Sequence, residues 1–262
     1  MDVNDSATLG AGNSIAARSR PRDLLELSVG YALILLVIWT PRSAQRPLYI
    51  AAVLWIVLVT IFSFNGSNPD DFKAMGLHVS APLHSLWIAG AALALAAVAI
   101  ATAAGLHTLH VPPAPLLFIR RYWGYAIWAC LQQFLLQDFF LLRLLRLLPT
   151  RIAAVIAAAI LFALAHLPNP VLTPITLIWG LAACLVFLRY RNIYSVAVAH
   201  AVLGITLAIT IPGPVDHNMR VGLGYLTYRH DHHLSQNPHT VSTSAWVTAE
   251  APTLRSTRHA RP

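Results

Sequence analysis

The chain alternates between long apolar runs and short polar segments. About 20 apolar residues form a helix that crosses the roughly 30 Å hydrocarbon core of a bilayer. Proline-containing turns separate several of the runs, as expected at helix ends, because proline cannot continue a helix. The pattern predicts an all-α, polytopic transmembrane helical bundle of about seven spans. These cover residues 24–40, 48–64, 81–105, 122–148, 152–167, 171–188 and 193–211.

The composition supports a membrane environment. Hydrophobic residues make up 57% of the chain and charged residues 11%, whereas soluble domains carry about 25% charged residues. The formal net charge of +8 would fit a nucleic-acid-binding protein, but such proteins cluster their basic residues on one face. Here the arginines lie at the ends of apolar runs and in the C-terminal tail. We therefore expect the lipid bilayer as a partner, and no nucleic acid.

The ends of the chain differ from its apolar middle. Residues 1–22 are polar and lack the apolar segment and cleavage site of a signal peptide, so we expect a disordered N-terminal leader. The transmembrane domain is predicted over residues 23–211, and a polar tail rich in His and Arg over residues 212–262. An N-terminus in the cytoplasm would place nine positive charges near the inner span ends and four near the outer ones. This distribution predicts a cytoplasmic N-terminus.

A few strongly polar residues interrupt the apolar runs. Because polar groups at bilayer depth are energetically expensive, each is a candidate for function. Gln133 and Gln137 are four residues apart and share a helix face. Each residue by itself could equally serve to join two helices by a hydrogen bond. If their helices are neighbours, however, the polar side chains can converge on one site; they are Gln132, Gln133, Gln137, Asp138, His166 and His200.

Three segments resemble the motifs of one family of membrane proteases. Phe162-Ala-Leu-Ala-His166 resembles the FxxxH motif of the CPBP family (CAAX proteases and bacteriocin-processing enzymes, also called ABI), which are intramembrane glutamic-type endopeptidases. His200-Ala-Val-Leu-Gly204 resembles the HxxxN motif. The segment from Gln132 to Gln137 stands where the EExxxR motif is expected. The resemblance covers about residues 72–211. It implies a CAAX-protease-like core, without cofactor, that acts on a membrane-associated peptide or protein, and a bacterial inner membrane as its location.

The resemblance also implies roles for individual residues. In the family, the first glutamate activates water with the help of a histidine, and the second histidine and the asparagine stabilise the oxyanion. The catalytic positions here are Gln132, Gln133, His166 and His200. The expected substrate-binding positions are Phe162, Gln137 and Asn169, and no metal ligand is implied.

This sequence departs from the family pattern at the positions that matter for chemistry. Glutamine replaces both glutamates and the arginine, and Gly204 replaces the asparagine. A carboxamide cannot take a proton from water at neutral pH, and general-base catalysis contributes about 10²–10⁴-fold. The sequence therefore leaves two functions open, an endopeptidase and a pseudoprotease that binds or scaffolds without cleavage. A small transporter or haem protein is a third possibility, but it lacks an inverted repeat.

Other groups could replace the missing acid. His166 could act as the base with His200 as the electrophile, since histidine titrates near neutral pH. Asp138 lies about 140° around an α-helix from Gln133, so we expect it to point away and pair with Arg143 or a neighbouring helix. The two histidines could also hold a metal, although this is a weak zinc pattern. For the histidines of the tail we favour solvation over adventitious metal binding.

Overall fold

The computed structural model describes residues 3–63, 75–77 and 85–228, without the side chains of residues 3–19, 42–43 and 61–63. The predicted tail beyond residue 228, with most of its histidines, lies outside these residues, and so does the polar loop around Lys73. All regular structure in the described part is helical, which confirms the all-α fold class.

Eleven helical segments follow one another along the described chain. The first begins at Val3, well before the start of the apolar run at residue 24, and the division of the chain at residue 22 remains a prediction. The segments are α1 (Val3–Trp39), α2 (Arg42–Ser63), α3 (Leu86–Gly105), α4 (Pro115–Phe134), a π-helical segment (Leu135–Leu141), α5 (Leu142–Leu147), α6 (Arg151–Leu164), α7 (Leu172–Tyr190), α8 (Ile193–Thr210), α9 (Gly213–Asp216) and α10 (Gly222–Leu226).

Within the described residues, four helical stretches are long and apolar enough to cross a bilayer, against the seven spans expected. They are Leu86–Gly105, Pro115–Leu147, Leu172–Tyr190 and Ile193–Thr210. Two further apolar helices, Ala44–Thr60 and Arg151–Leu164, are shorter. The 14 residues of α6 extend about 21 Å at 1.5 Å per residue, which is less than the hydrocarbon thickness. Large apolar side chains such as Ile119, Ile127 and Leu185 face outward, as in an integral membrane protein.

Short polar side chains set where the later helices begin. The Thr150 hydroxyl accepts the backbone N–H of Ala153 at 3.1 Å and caps α6. The side-chain oxygen of Asn169 accepts the N–H groups of the first turn of α7, at 2.9 and 3.0 Å. Asn192 does the same for α8, at 2.9 and 3.3 Å. These caps satisfy backbone donors that a helix start leaves unpaired.

The core lies where the π-helical segment, α6, α7 and the start of α8 meet. Phe139, Phe187 and Val196 are fully buried there. Helices α6 and α7 approach closely at Gly180, where an added Cβ would lie 3.2 Å from the Cα of Ala159. Small residues permit such close contacts between membrane helices, where packing is the main stabilising force. The close contact also brings Phe162 of α6 next to Gly180, with its Cδ1 atom 3.5 Å from a Cβ built there.

Ion pairs attach α1 to the end of the long α4–α5 stretch. Arg143, only 1% exposed, donates to the Glu26 carboxylate at 2.9 Å. Its guanidinium also donates to the backbone carbonyls of Phe139 at 3.0 Å and Asp138 at 3.4 Å. The i→i+5 pattern of a π-helix disturbs the regular hydrogen bonds, and buried carbonyls need partners. Arg143 therefore stabilises the π-helical segment, and Arg146 adds a second pair with Asp23 at 2.5 and 2.8 Å.

Candidate active site

A chain of hydrogen bonds links α8 to the long α4–α5 stretch. The Gln137 amide nitrogen donates to the Gln133 carbonyl oxygen at 3.2 Å, and the Gln133 amide nitrogen contacts Nδ1 of His200 at 2.9 Å. Both glutamines are 0% exposed and His200 is 6% exposed. An amide nitrogen only donates, so Nδ1 of His200 accepts and its proton lies on Nε2. The Ala129 carbonyl lies beside the same ring.

Phe162 lies between the two histidines. Its ring centroid is 4.9 Å from that of His166 and 6.0 Å from that of His200, with edge-to-face geometry in both cases. Nδ1 of His166 is 2.7 Å from the Phe162 carbonyl oxygen. A carbonyl only accepts, so Nδ1 of His166 carries the proton and Nε2 keeps a lone pair. The two imidazoles therefore have opposite tautomers, and His166 presents an acceptor.

Unpartnered polar atoms surround this group. Trp179 on α7 packs against His200, with ring centroids 5.7 Å apart. Its indole nitrogen is buried and has no hydrogen-bond partner among the described residues, and the same holds for the side-chain oxygen of Gln137. Buried polar groups in native proteins are normally paired. The site therefore offers a free donor and a free acceptor within its apolar surroundings.

Gly204 takes the place of the asparagine of HxxxN, and Tyr125 fills the space. A Cβ built on Gly204 would collide with the Tyr125 hydroxyl and would lie 2.5 Å from its Cζ atom. Helices α4 and α8 run antiparallel. Tyr125 of α4 contacts Gly204 of α8, whereas the later Gln133 contacts the earlier His200. Tyr125 thus brings a hydroxyl group next to the position where α8 lacks a polar side chain.

Two predicted site residues lie apart from the polar chain. Gln132 is half-buried, and its side chain makes no hydrogen bond within the part of the chain that the structure describes. Asn169 is fully buried, and its amide donates to the carbonyls of Asp216 at 2.8 Å and Arg220 at 3.0 Å. Because its oxygen also caps α7, all of its hydrogen-bonding capacity is used within the chain. This geometry favours a structural role for Asn169, and its role in substrate binding remains a prediction.

The π-helical segment changes the surroundings of Asp138. The rotation of about 100° per residue holds for an α-helix, whereas the i→i+5 pattern widens the turn. The carboxyl oxygens of Asp138 are buried and have no hydrogen-bond partner among the described residues, and so bond to neither imidazole. Arg143 binds the backbone carbonyl of Asp138, and Arg191 is the charged group that acts on its carboxyl. Of the two expected partners, Arg143 makes no hydrogen bond to this carboxyl, and the charge that acts on it comes from Arg191 at the end of the neighbouring helix α7.

Sequence reasoning missed Tyr125 and Trp179, because aromatic residues in an apolar run give no polar signal. The spacing offered one clue, since Tyr125, Ala129, Gln133 and Gln137 follow one another at four-residue intervals on one face. No group of three or more His, Cys, Asp or Glu side chains suited to a metal is found among residues 3–63, 75–77 and 85–228.

One family model matches the part of the chain that carries this site. Residues 115–206 match the model described as Rce1-like, "Type II CAAX prenyl endopeptidase Rce1-like". The chain is a CAAX-protease-like membrane protein. The match confirms the resemblance to the CPBP family over a shorter stretch than the expected 72–211, from the start of α4 into α8. It includes the three motif segments. No curated protein and no solved structure matches the chain.

Proposed function

We propose that this CAAX-protease-like protein binds a membrane-associated peptide without cleaving it. The observation that carries the proposal is the hydrogen bond between Gln133 and His200, 2.9 Å long. At this position a carboxylate could accept a proton from water, whereas a carboxamide cannot. Gln137 holds the Gln133 oxygen from the other side at 3.2 Å. The polar chain is therefore neutral and joined within itself, and it supplies no general base.

The surroundings of the site support a peptide that reaches it from the membrane. His200, Gln133 and Gln137 are buried in a helical bundle whose outer face is apolar. His166 is half-buried and offers an acceptor, and Trp179 offers a donor. A peptide backbone carries both donors and acceptors, so its groups can pair with both side chains. The matched family model, named for CAAX prenyl endopeptidases, supports a peptide with a prenylated end.

One observation favours the alternative function, an intramembrane endopeptidase. The hydrogen bond of His166 to the Phe162 carbonyl, 2.7 Å long, fixes the ring with its Nε2 lone pair available. An oriented imidazole with a free lone pair can act as a general base. In that mechanism His166 would take a proton from water, and the protonated Nε2 of His200 would stabilise the oxyanion.

The two functions are separated by measuring binding and cleavage on the same sample. The full chain in lipid nanodiscs would be mixed with a fluorescent peptide that ends in a farnesylated Cys-aliphatic-aliphatic-Xaa sequence. We expect saturable binding and an intact peptide by mass spectrometry. Cleavage by the wild type that is lost in His166→Ala, but kept in the exposed control His107→Ala, would establish the endopeptidase instead. Absence of binding would reject both functions.

We also infer that the N-terminus of α1 faces the cytoplasm of a bacterial cell whose inner membrane holds the protein. The ion pairs of Asp23 and Glu26 with Arg146 and Arg143 place the polar start of the first apolar run beside the end of α5. The arginines there lie on one side of the bundle, as the positive-inside rule expects for the cytoplasmic side. A fluorescent protein that matures only in the cytoplasm, fused to the N-terminus, would be dark if the orientation were reversed.

A further inference from the structure

Two hydrogen-bond donors near His200 take no part in the polar chain. The Trp179 ring packs against the His200 ring, 5.7 Å between centroids, and its indole N–H is buried and has no partner among the described residues. The Tyr125 hydroxyl likewise makes no hydrogen bond within the part of the chain that the structure describes. The indole N–H is a buried polar group without the partner that such groups normally have, and the hydroxyl of the half-buried Tyr125 is not engaged, so both are available to an acceptor from outside the chain.

The packing of α4 against α8 fixes the position of the Tyr125 hydroxyl. It lies against Gly204, where any Cβ would collide with it. Gly204 follows His200 by four residues, one helical turn, which is about 6 Å along the axis. Ala129, one turn after Tyr125 on α4, provides the carbonyl that contacts the His200 ring. The hydroxyl of Tyr125 therefore lies about one turn from the His200 imidazole, on the face of α8 that packs against α4.

We propose that Tyr125 and Trp179 form a donor site near His200 for backbone carbonyl oxygens of the bound peptide. This inference rests on the proposed function and names the part of the peptide that the site recognises. The indole N–H only donates and a phenol donates readily. A carbonyl oxygen only accepts, and within a membrane an extended peptide must find donors for its carbonyls.

Neutral carbonyls fit this site better than a carboxylate. Neither donor is charged, and the buried guanidinium of Arg143 is bound to Glu26 and to backbone carbonyls beyond the π-helical segment. A buried carboxylate would need a positive partner to offset the loss of its hydration. The donor site therefore selects the peptide chain itself.

The experiment measures the dissociation constant of the farnesylated fluorescent peptide for the full chain in nanodiscs. Tyr125→Phe and Trp179→Phe each remove a donor and keep an aromatic ring. Each should weaken binding about 3- to 10-fold, the effect of losing one hydrogen bond. Tyr122→Phe and Trp55→Phe are matched controls. Tyr122 is a buried tyrosine on α4 that packs against Phe118, and Trp55 on α2 has a buried, unpartnered indole nitrogen against the main core. The controls should stay within about twofold of wild type, inside the spread expected for a change that removes no hydrogen bond to the peptide.

A series of modified peptides identifies the carbonyl oxygens that the donor site binds. Single peptide bonds are replaced by alkene isosteres, which lack the carbonyl oxygen. Where the missing carbonyl is one that Tyr125 or Trp179 binds, the wild type and the corresponding Phe variant should bind the isostere with equal affinity. The hydrogen bond is then absent in both complexes. Unchanged affinity in both variants, or an equal loss in the controls, would overturn the donor site while the proposed function stands. Weakening in one variant alone would overturn the two-donor arrangement. No binding by wild type would reject the proposed function, and the donor site with it.

Discussion

Replacing Gln133 with leucine is the most direct perturbation of the polar chain. Leucine has a similar size and keeps the apolar packing, but it can neither donate to His200 nor accept from Gln137. Both hydrogen bonds, at 2.9 and 3.2 Å, would be lost. Since Gln133 and Gln137 are 0% exposed and His200 is 6% exposed, water has little access to replace the lost partners.

The magnitude follows from the number of bonds and their environment. Hydrogen bonds between membrane helices average about 0.6 kcal/mol, with a maximum near 1.7. Two such bonds give a loss of about 1–3 kcal/mol in the free energy of unfolding. We expect the upper part of this range, because the imidazole and the Gln137 amide remain buried without partners, which costs more than the bond itself.

The assay is reversible unfolding in mixed micelles with increasing mole fraction of dodecyl sulfate, followed by circular dichroism. Gln132→Leu is the matched control, because it makes the same substitution one position earlier at a half-buried residue outside the polar chain. We expect the control to change stability by less than about 0.5 kcal/mol, as at sites without specific contacts. Equal stability losses in the two variants, or no loss in Gln133→Leu, would refute the assigned pairing of Gln133 with His200.

The remaining predictions concern the surroundings of the site. Arg143→Met should lower the free energy of unfolding by about 1–3 kcal/mol, because the buried carbonyls of Asp138 and Phe139 lose a donor, while the Glu26 carboxylate keeps Arg22 at 2.7 Å. Arg146→Met should cost a similar amount, because it removes the arginine that pairs with the Asp23 carboxylate, and Asp23 is only 5% exposed. Gly204→Ala should lower the free energy of unfolding by about 1–3 kcal/mol through overpacking. In a Tyr125→Ala background, where the collision is absent, the same change should cost much less. A double-mutant cycle in the same assay tests this, and additive effects of the two changes would contradict it. Burial raises the pKa of Asp216 above its ordinary value of 3.8, against backbone hydrogen bonds that lower it. The segment around it should therefore be most resistant to limited proteolysis below pH 3.8 and lose resistance as the pH rises through the raised pKa, a dependence that Asp216→Asn should abolish.

Two features of the site show why sequence reasoning could go only part of the way. The sequence predicts that Gln132 and Gln133 are adjacent site residues, but it contains nothing that decides which one faces α8. The structure selects Gln133, because α8 packs on the face shared by Tyr125, Ala129 and Gln133. In the same way, Gly204 is visible in the sequence as a missing asparagine. That Tyr125 fills its space depends on a contact between residues 79 positions apart, 204 minus 125.

What the sequence by itself determined is the class of the molecule and the order of its polar positions. A segment must be apolar along its own length to lie in hydrocarbon, and this can be read locally from residues 24 to 211. The motif positions of His166 and His200 are likewise local patterns. Only the tertiary structure decided the π-helical segment held by Arg143, the tautomers of the two histidines, and the donors Tyr125 and Trp179. These arise from packing between helices that are distant in sequence, where a neighbour's carbonyl or ring determines which atoms remain free to act.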